Sequence, residues 1–247
     1  MNTQVLMLCS SHVKHPSDGT PTGGWLEMIA QPYFEFTHSG LDVVIASVKG
    51  GNVPMDPISL DRTHMTRATK KFTNDSKLMA LLQNTLPISK YDVQDFDGIF
   101  VVGGHGAAYD MPKSIQVENM LQSFIATNKP IAAVAHGTAA LVNLKAPDGS
   151  VFVEQRKFAA FTNEEEEELN LIEVMQYESA LRATCVDKLI SLGGNWLGME
   201  PWVPYSIADR GLITGQNPAS SERTAESLVD VICGPDPGPT SPEEGEL

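Results

Sequence analysis

Residues Pro130 to Leu141, PIAAVAHGTAAL, have the form of a strand that enters a sharp turn and leaves as a helix. Ile131 to Val134 is a short apolar run behind a proline. His136-Gly137 breaks it, and Thr138 to Leu144 carries helix-forming residues at helical spacing. An elbow of this kind, here residues 134–137, is where α/β enzymes mount a nucleophile, because the turn lifts one side chain clear of the sheet. The residue lifted here is Ala135, which has no atom able to attack. His136 beside it is the group of the turn able to carry a proton.

A second turn of the same kind follows another apolar stretch. In FDGIFVVGGHG, Phe96 to Gly106, the strand ends in Gly103, Gly104, His105 and Gly106. Glycines in such turns let the backbone approach a ligand, and N–H groups at a helix start favour an oxyanion. Gly104 and His136 are candidate backbone donors to an oxyanion. Gly137 belongs to the same binding turn, and the His105 side chain is placed to face the pocket.

The elements that must hold these turns read as an α/β chain. Val5 to Cys9 is a buried first strand, and Ser10 to Gly24 is a loop rich in Ser, Thr, Pro, Gly and His. A helix follows over 24–39, which Pro32 should bend or interrupt. Leu41 to Ser47 is a second strand, and its near-continuous apolar character suits a parallel sheet covered on both faces. Residues 49–71 read as a loop, and 76–82, 115–127, 164–175, 177–192 and 220–232 as helices. Lys157 to Phe161 is a further strand, and Ser206 to Ile213 a hairpin with its turn at Asp209-Arg210-Gly211. Asp110 is positioned to cap the helix after Met111-Pro112. Strands alternating with helices give a doubly wound, mostly parallel sheet of flavodoxin-like form, with ligands at the strand C-termini.

Composition narrows the classes. With 42% apolar and 19% charged residues in 247, the chain can bury a sizeable core. Its 31 acidic residues outnumber 17 basic ones, for a formal net charge of −14, which argues against a nucleic-acid surface. Part of the excess is local, in the run Glu164 to Glu168. Residues 1–233 read as one domain. Residues 234–247, rich in Pro, Gly and Glu, form an acidic tail with little apolar area to bury. Three cysteines without pairing spacing fit a reducing, cytoplasmic compartment. No segment has the length and character of a signal peptide or a membrane span. Among six histidines no H-x-x-x-H spacing occurs, so no metal is expected.

Five stretches together, GGWLEMIAQPYFEF, GGHGAAYDMP, IAAVAHGTAALVN, FTNEEEEE and LITGQNPASS, resemble the ThiJ/PfpI superfamily, which is related to class I glutamine amidotransferases. The likeness runs from about Val5 to Leu228. It is greatest to the branch of heat-shock-type, glutathione-independent glyoxalase III proteins, a group tied to stress response. In that family the elbow reads A-x-C-H-G. The resemblance therefore puts Ala135 at the position of the nucleophilic cysteine, with His136 as its histidine. Glu27 matches the carboxylate that approaches the sulfur. Glu166 is the first choice for the acid behind His136, with Glu165 and Glu167 beside it. It further implies a cofactor-free conversion of methylglyoxal-like 2-oxoaldehydes to 2-hydroxy acids, a small carbonyl substrate and a homodimer.

Alanine is the one clear departure from the pattern. Two accounts fit it. One is an engineered Cys→Ala change that disables an enzyme, and the intact remainder of the site favours this account. The other is a natural cysteine-less protein that binds a small carbonyl compound, holds a protein client as a chaperone does, or uses Glu27 and His136 for acid–base hydratase or lyase chemistry.

Overall fold

The computed structural model describes residues 3–234. The expected acidic tail lies outside these residues beyond Gly234. The strands in chain order are β1 (Gln4–Cys9), β2 (Asp42–Ser47), β3 (Leu86–Pro87), β4 (Gly98–Val101), β5 (Ile131–Val134), β6 (Lys157–Phe158), β7 (Asn195–Trp196), β8 (Ser206–Asp209) and β9 (Leu212–Gly215). The helices are α1 (Glu27–His38), α2 (Arg67–Thr73), α3 (Ser76–Gln83), α4 (His105–Asp110), α5 (Ile115–Ala126), α6 (Asn163–Glu168), α7 (Ile172–Tyr177), α8 (Cys185–Ser191) and α9 (Ser221–Cys233).

Seven strands form one sheet in the order β3-β2-β1-β4-β5-β9-β8, parallel throughout except for β8, which runs antiparallel to β9. β6 and β7 pair separately. The alternation of side chains along each central strand divides the core in two. Leu6, Leu8, Ile99, Val101, Ile131 and Ala133 pack with α5 and α8 on one face. Val5, Met7, Cys9, Phe100, Val102, Ala132 and Val134 pack with α1 and α9 on the other. Burial on both faces explains the continuous apolar runs of β1, β4 and β5. The chain winds outward through β1, β2 and β3, then crosses back to β4 on the far side of β1. That reversal opens a crevice at the carboxyl ends of β1, β4 and β5, where open α/β sheets place their ligands. None of the described helices is long and apolar enough to cross a membrane.

Four local expectations are corrected. The segment after β5 is a 3-10 helix over Ala135–Leu141, not an α-helix. The Thr138 hydroxyl donates to the Ala135 carbonyl at 2.8 Å and so competes for an acceptor that an α-turn would use. The two long helices expected over 164–192 are three short ones, stopped where Asn170 and Arg182 take left-handed backbone, φ 57° and 54°. Residues 67–71, expected as the end of a loop, belong to α2, capped by the Thr66 side chain accepting from the Thr69 N–H. Pro32 does not interrupt α1, and its ring is buried on the helix's inner side.

The elbow lies hard against the neighbouring strand. A Cβ on Gly137 would stand 2.5 Å from the Val101 carbonyl oxygen. Backbone cannot yield there as a flexible side chain would. Gly137→Ala is predicted to cost about 1 to 3 kcal/mol and to lower the melting temperature by roughly 2 to 4 °C for each kcal/mol lost. An unchanged thermal melt would show that this contact does not hold the turn.

Candidate active site

The elbow apex is strained. Val134 ends β5 in extended backbone, and Ala135 then takes φ +50°, in the left-handed region, with its methyl group fully buried. For a non-glycine residue this conformation costs about 1 to 2 kcal/mol and persists only where surroundings enforce it. A Cβ on Gly103, at the end of β4, would meet both Met28 Sδ at 2.4 Å and Ala135 Cβ at 3.2 Å. The start of α1, the turn after β4 and the elbow therefore converge on one point.

His136, 2% exposed, shares a hydrogen bond between its Nε2 and Glu166 Oε1 at 2.7 Å. Of the three acids weighed from the sequence, Glu166 is the partner. Its neighbours do other things. Glu167 is exposed. Glu165 is fully buried and accepts hydrogen bonds from the backbone of Thr162 and Trp202 and from the side chains of Gln216 and Asn217. It closes a capping box with Thr162, which fixes the first turn of α6 and hence the direction of Glu166.

His105 opens α4 and is buried with Asp56, whose Oδ2 lies 3.2 Å from its Nδ1. Burial pushes the Asp56 carboxyl up. Hydrogen bonds from His105, the Ile58 N–H and the Thr22 hydroxyl, with the charge of His105, outweigh burial and hold it below the ordinary range. The His105 and His136 rings lie 4.7 Å apart between centroids, and Phe161 packs 4.7 Å from His136 on the other side. Glu27, in the first turn of α1, is partly buried, and burial followed by the Glu222 charge raises its carboxyl above the ordinary range. A carboxyl raised in this way can donate a proton or a hydrogen bond to a bound oxygen.

These groups share one cavity of about 660 Å³, with Glu27, Gly104, His105 and His136 on its wall and mostly apolar side chains around them, among them Trp25, Met28, Phe161 and Trp202. Gly104 takes φ +115°, and a Cβ there would strike the Gly23 carbonyl at 2.5 Å. Ala135 and Gly137 are buried and are not among the residues that line the cavity. The glycine identity of Gly137 follows from packing on Val101. Asp110 caps no helix. It accepts from Ser10 Oγ and the Ser11 N–H, ties the loop after β1 to α4, and is pushed up to about 6 chiefly by burial.

Sequence reading missed Asp56, His15, Phe161 and Trp202. Asp56 was hidden in a stretch read as loop. His15, bonded through Nδ1 to the Tyr109 hydroxyl at 2.9 Å, was visible only as one histidine in a polar loop. Neither buried cysteine offers a thiolate. Burial, reinforced by Asp110, pushes the Cys9 thiol up to about 12. Burial and the Glu166 charge push Cys185 up as well. Cys233 is exposed at the end of α9.

A sequence model described as the DJ-1/PfpI family matches residues 26–230. The glutathione-independent glyoxalase hsp3101 of Schizosaccharomyces pombe is 29% identical over 240 residues, covering 92% of this chain and 95% of that protein. The crystal structure of glyoxalase III from Candida albicans superposes with a TM-score of 0.84 at 24% identity, over 93% of this chain and 97% of that one. The Rapid Encystment Protein of Francisella tularensis gives a TM-score of 0.85 at 28% identity, over 93% and 99%.

Two outcomes follow from the geometry. Glu165→Ala strands buried donors and should cost about 3 kcal/mol or more, whereas Glu167→Ala should stay within about 0.5 kcal/mol. Chemical denaturation of the two variants checks this, and equal costs would contradict it. The second concerns Glu27. Held above the ordinary range, its carboxyl binds a proton more tightly in the folded state than in the unfolded chain. The stability it gives is present below the ordinary glutamate range and lost as pH rises through the folded-state value. Glu27→Gln, always neutral, should therefore melt higher than the parent at neutral pH, with the gap closing in acid. A gap that widens in acid would reverse the sign.

Proposed function

The chain belongs to the DJ-1/PfpI family, and on that footing we propose that its pocket serves glyoxalase III-type chemistry on 2-oxoaldehydes such as methylglyoxal, with the attacking atom absent at Ala135. The observation that carries this reading is the left-handed backbone of Ala135 at φ +50°, beside the His136–Glu166 pair. Strained, buried non-glycine turns of this kind cluster where a reacting group must be presented. An alanine gains nothing from the strain.

In an Ala135→Cys variant the chemistry runs as follows. The thiolate adds to the aldehyde carbon, and the carbonyl oxygen takes a proton to give a hemithioacetal. A base removes the C–H proton of that carbon to form an enediol. Protonation at the neighbouring carbon yields the thioester of a 2-hydroxy acid, so one carbon is oxidised as the other is reduced. Water then cleaves the C–S bond, returning the thiol and releasing the acid. Glu27 and His136 are the groups positioned to move these protons, and no external oxidant is needed. The chain as it stands would bind the carbonyl compound without this turnover. The intact Glu27, His136, Glu166 and Gly104 support replacement of a cysteine as the origin of Ala135. Assembly as a homodimer belongs to the same proposal.

A second reading has its own support. Two histidine–carboxylate pairs, His136–Glu166 and His105–Asp56, remain intact without a nucleophile. They suit a cysteine-less protein that binds small carbonyl compounds or uses acid–base catalysis, as a hydratase or lyase would.

Methylglyoxal consumption and lactate formation separate the two. Ala135→Cys should gain activity over the parent chain. Adding Glu27→Gln to that variant should remove about 10²- to 10⁴-fold of it, the span of a general acid–base contribution. No gain in a folded Ala135→Cys variant favours the second reading. Equal turnover by the parent would overturn the nucleophile assignment.

A further inference from the structure

Two buried atoms beside the elbow lack partners. Glu166 Oε2 and His105 Nε2 are both sealed from solvent and make no hydrogen bond. The residues themselves are 0% and 4% exposed. Leaving such atoms unsatisfied costs about 1 to 3 kcal/mol each. Glu166 Oε2 keeps a free lone pair, and in the neutral tautomer that donates its Nδ1–H to Asp56, His105 keeps its Nε2 lone pair as well. Glu166 spends one oxygen on His136 and keeps the other.

The side chains that carry these atoms converge with His136. His105, His136 and Glu166 each offer one ligand atom, and the three lie within 4.8 Å of one another. Metal–nitrogen and metal–oxygen bonds of about 2.0 to 2.2 Å bring such a set onto one ion after a small contraction. The ion would take the place of the proton shared by His136 and Glu166. Two imidazoles and one carboxylate suit zinc and its first-row neighbours, whereas magnesium and calcium prefer oxygen alone. The Asp56–His105 bond is the outer carboxylate that metal-binding histidines ordinarily carry.

We propose that His105, His136 and Glu166 form a site for one divalent transition-metal ion of the zinc class, oriented through Asp56 and set against the cavity wall. Three protein ligands leave a position free, and His105 and His136 both line the cavity. No sequence motif marks the site, because its ligands come from three separate stretches with no metal-motif spacing. The site shares His136 and Glu166 with the 2-oxoaldehyde reading, and its test reads metal binding alone, so either reading can fail without the other.

Chelator-stripped protein is titrated with Zn²⁺ by calorimetry, and with Co²⁺ by visible absorption. One ion per chain is expected. His105→Ala and Glu166→Gln should each weaken Zn²⁺ binding at least 100-fold and abolish the Co²⁺ bands. Asp56→Asn should weaken binding about 10- to 100-fold. Metal-free melting curves identify the folded variants, and Asp56→Asn with His105→Ala suffices if Glu166→Gln does not fold. A Glu222→Gln/Glu226→Gln double variant should bind as the parent does, because the more exposed acidic group Glu35, Glu222 and Glu226 is the competing place for a cation. Absence of one-to-one binding overturns the proposal and leaves an ordered water as the partner of the two atoms. Binding that survives His105→Ala, or that vanishes in the double variant, overturns it too.

Discussion

The backbone at Ala135 is the constraint from which the site takes its shape. Val134 is extended and Ala135 is left-handed, so the chain reverses within one residue. Gly137 then packs against the Val101 carbonyl, and the Thr138 hydroxyl ties back to the Ala135 carbonyl. Each contact is ordinary alone. Together they leave the residue no relaxed alternative, which is how about 1 to 2 kcal/mol of local strain can be retained in a stable fold. The same reversal sends His136 toward α6 and places it between His105 and Phe161.

The second anchor is Glu165, one residue from the carboxylate that pairs with His136 yet different in role. Its two oxygens gather donors from Thr162 at the head of α6, from Trp202 and from Gln216 and Asn217 after β9. A buried carboxylate with this many donors is costly to lose, because several groups would be stranded at once. It fixes α6 so that the next residue, Glu166, reaches His136. Adjacent glutamates thus divide the work: one holds the framework, one faces the histidine, and Glu167 stays in water.

Much of this was legible in the sequence. The parallel sheet was visible because strands buried on both faces read as unbroken apolar runs, and β1, β4 and β5 are such runs. The elbow was visible because His-Gly interrupts one of them abruptly. Long-range pairing was not legible. Nothing local marks Asp56 as the partner of His105, since the two are joined only when the loop after β2 folds over the turn after β4. Nor does the five-glutamate run show by composition which member is buried, because that depends on donors some forty to fifty residues further on. The 3-10 winding after Ala135 was missed for a related reason: helix-forming residues outweighed a single threonine whose hydroxyl redirects the first turn. Gly137 was read as a binding residue from its place in a glycine turn, whereas its need is for space against Val101.

The central claim is that the elbow at Ala135 is shaped to present and activate a thiol. The most direct measurement is the pH dependence of alkylation of an Ala135→Cys variant by a haloacetamide, followed by mass spectrometry at that position with and without methylglyoxal. An elbow beside His136 should depress the thiol well below the ordinary cysteine range. Alkylation should therefore be fast and nearly pH-independent around neutrality, and methylglyoxal should protect the site. A rate that climbs only through the ordinary thiol range or above, as Cys9 would require, with no protection by methylglyoxal, would contradict the account.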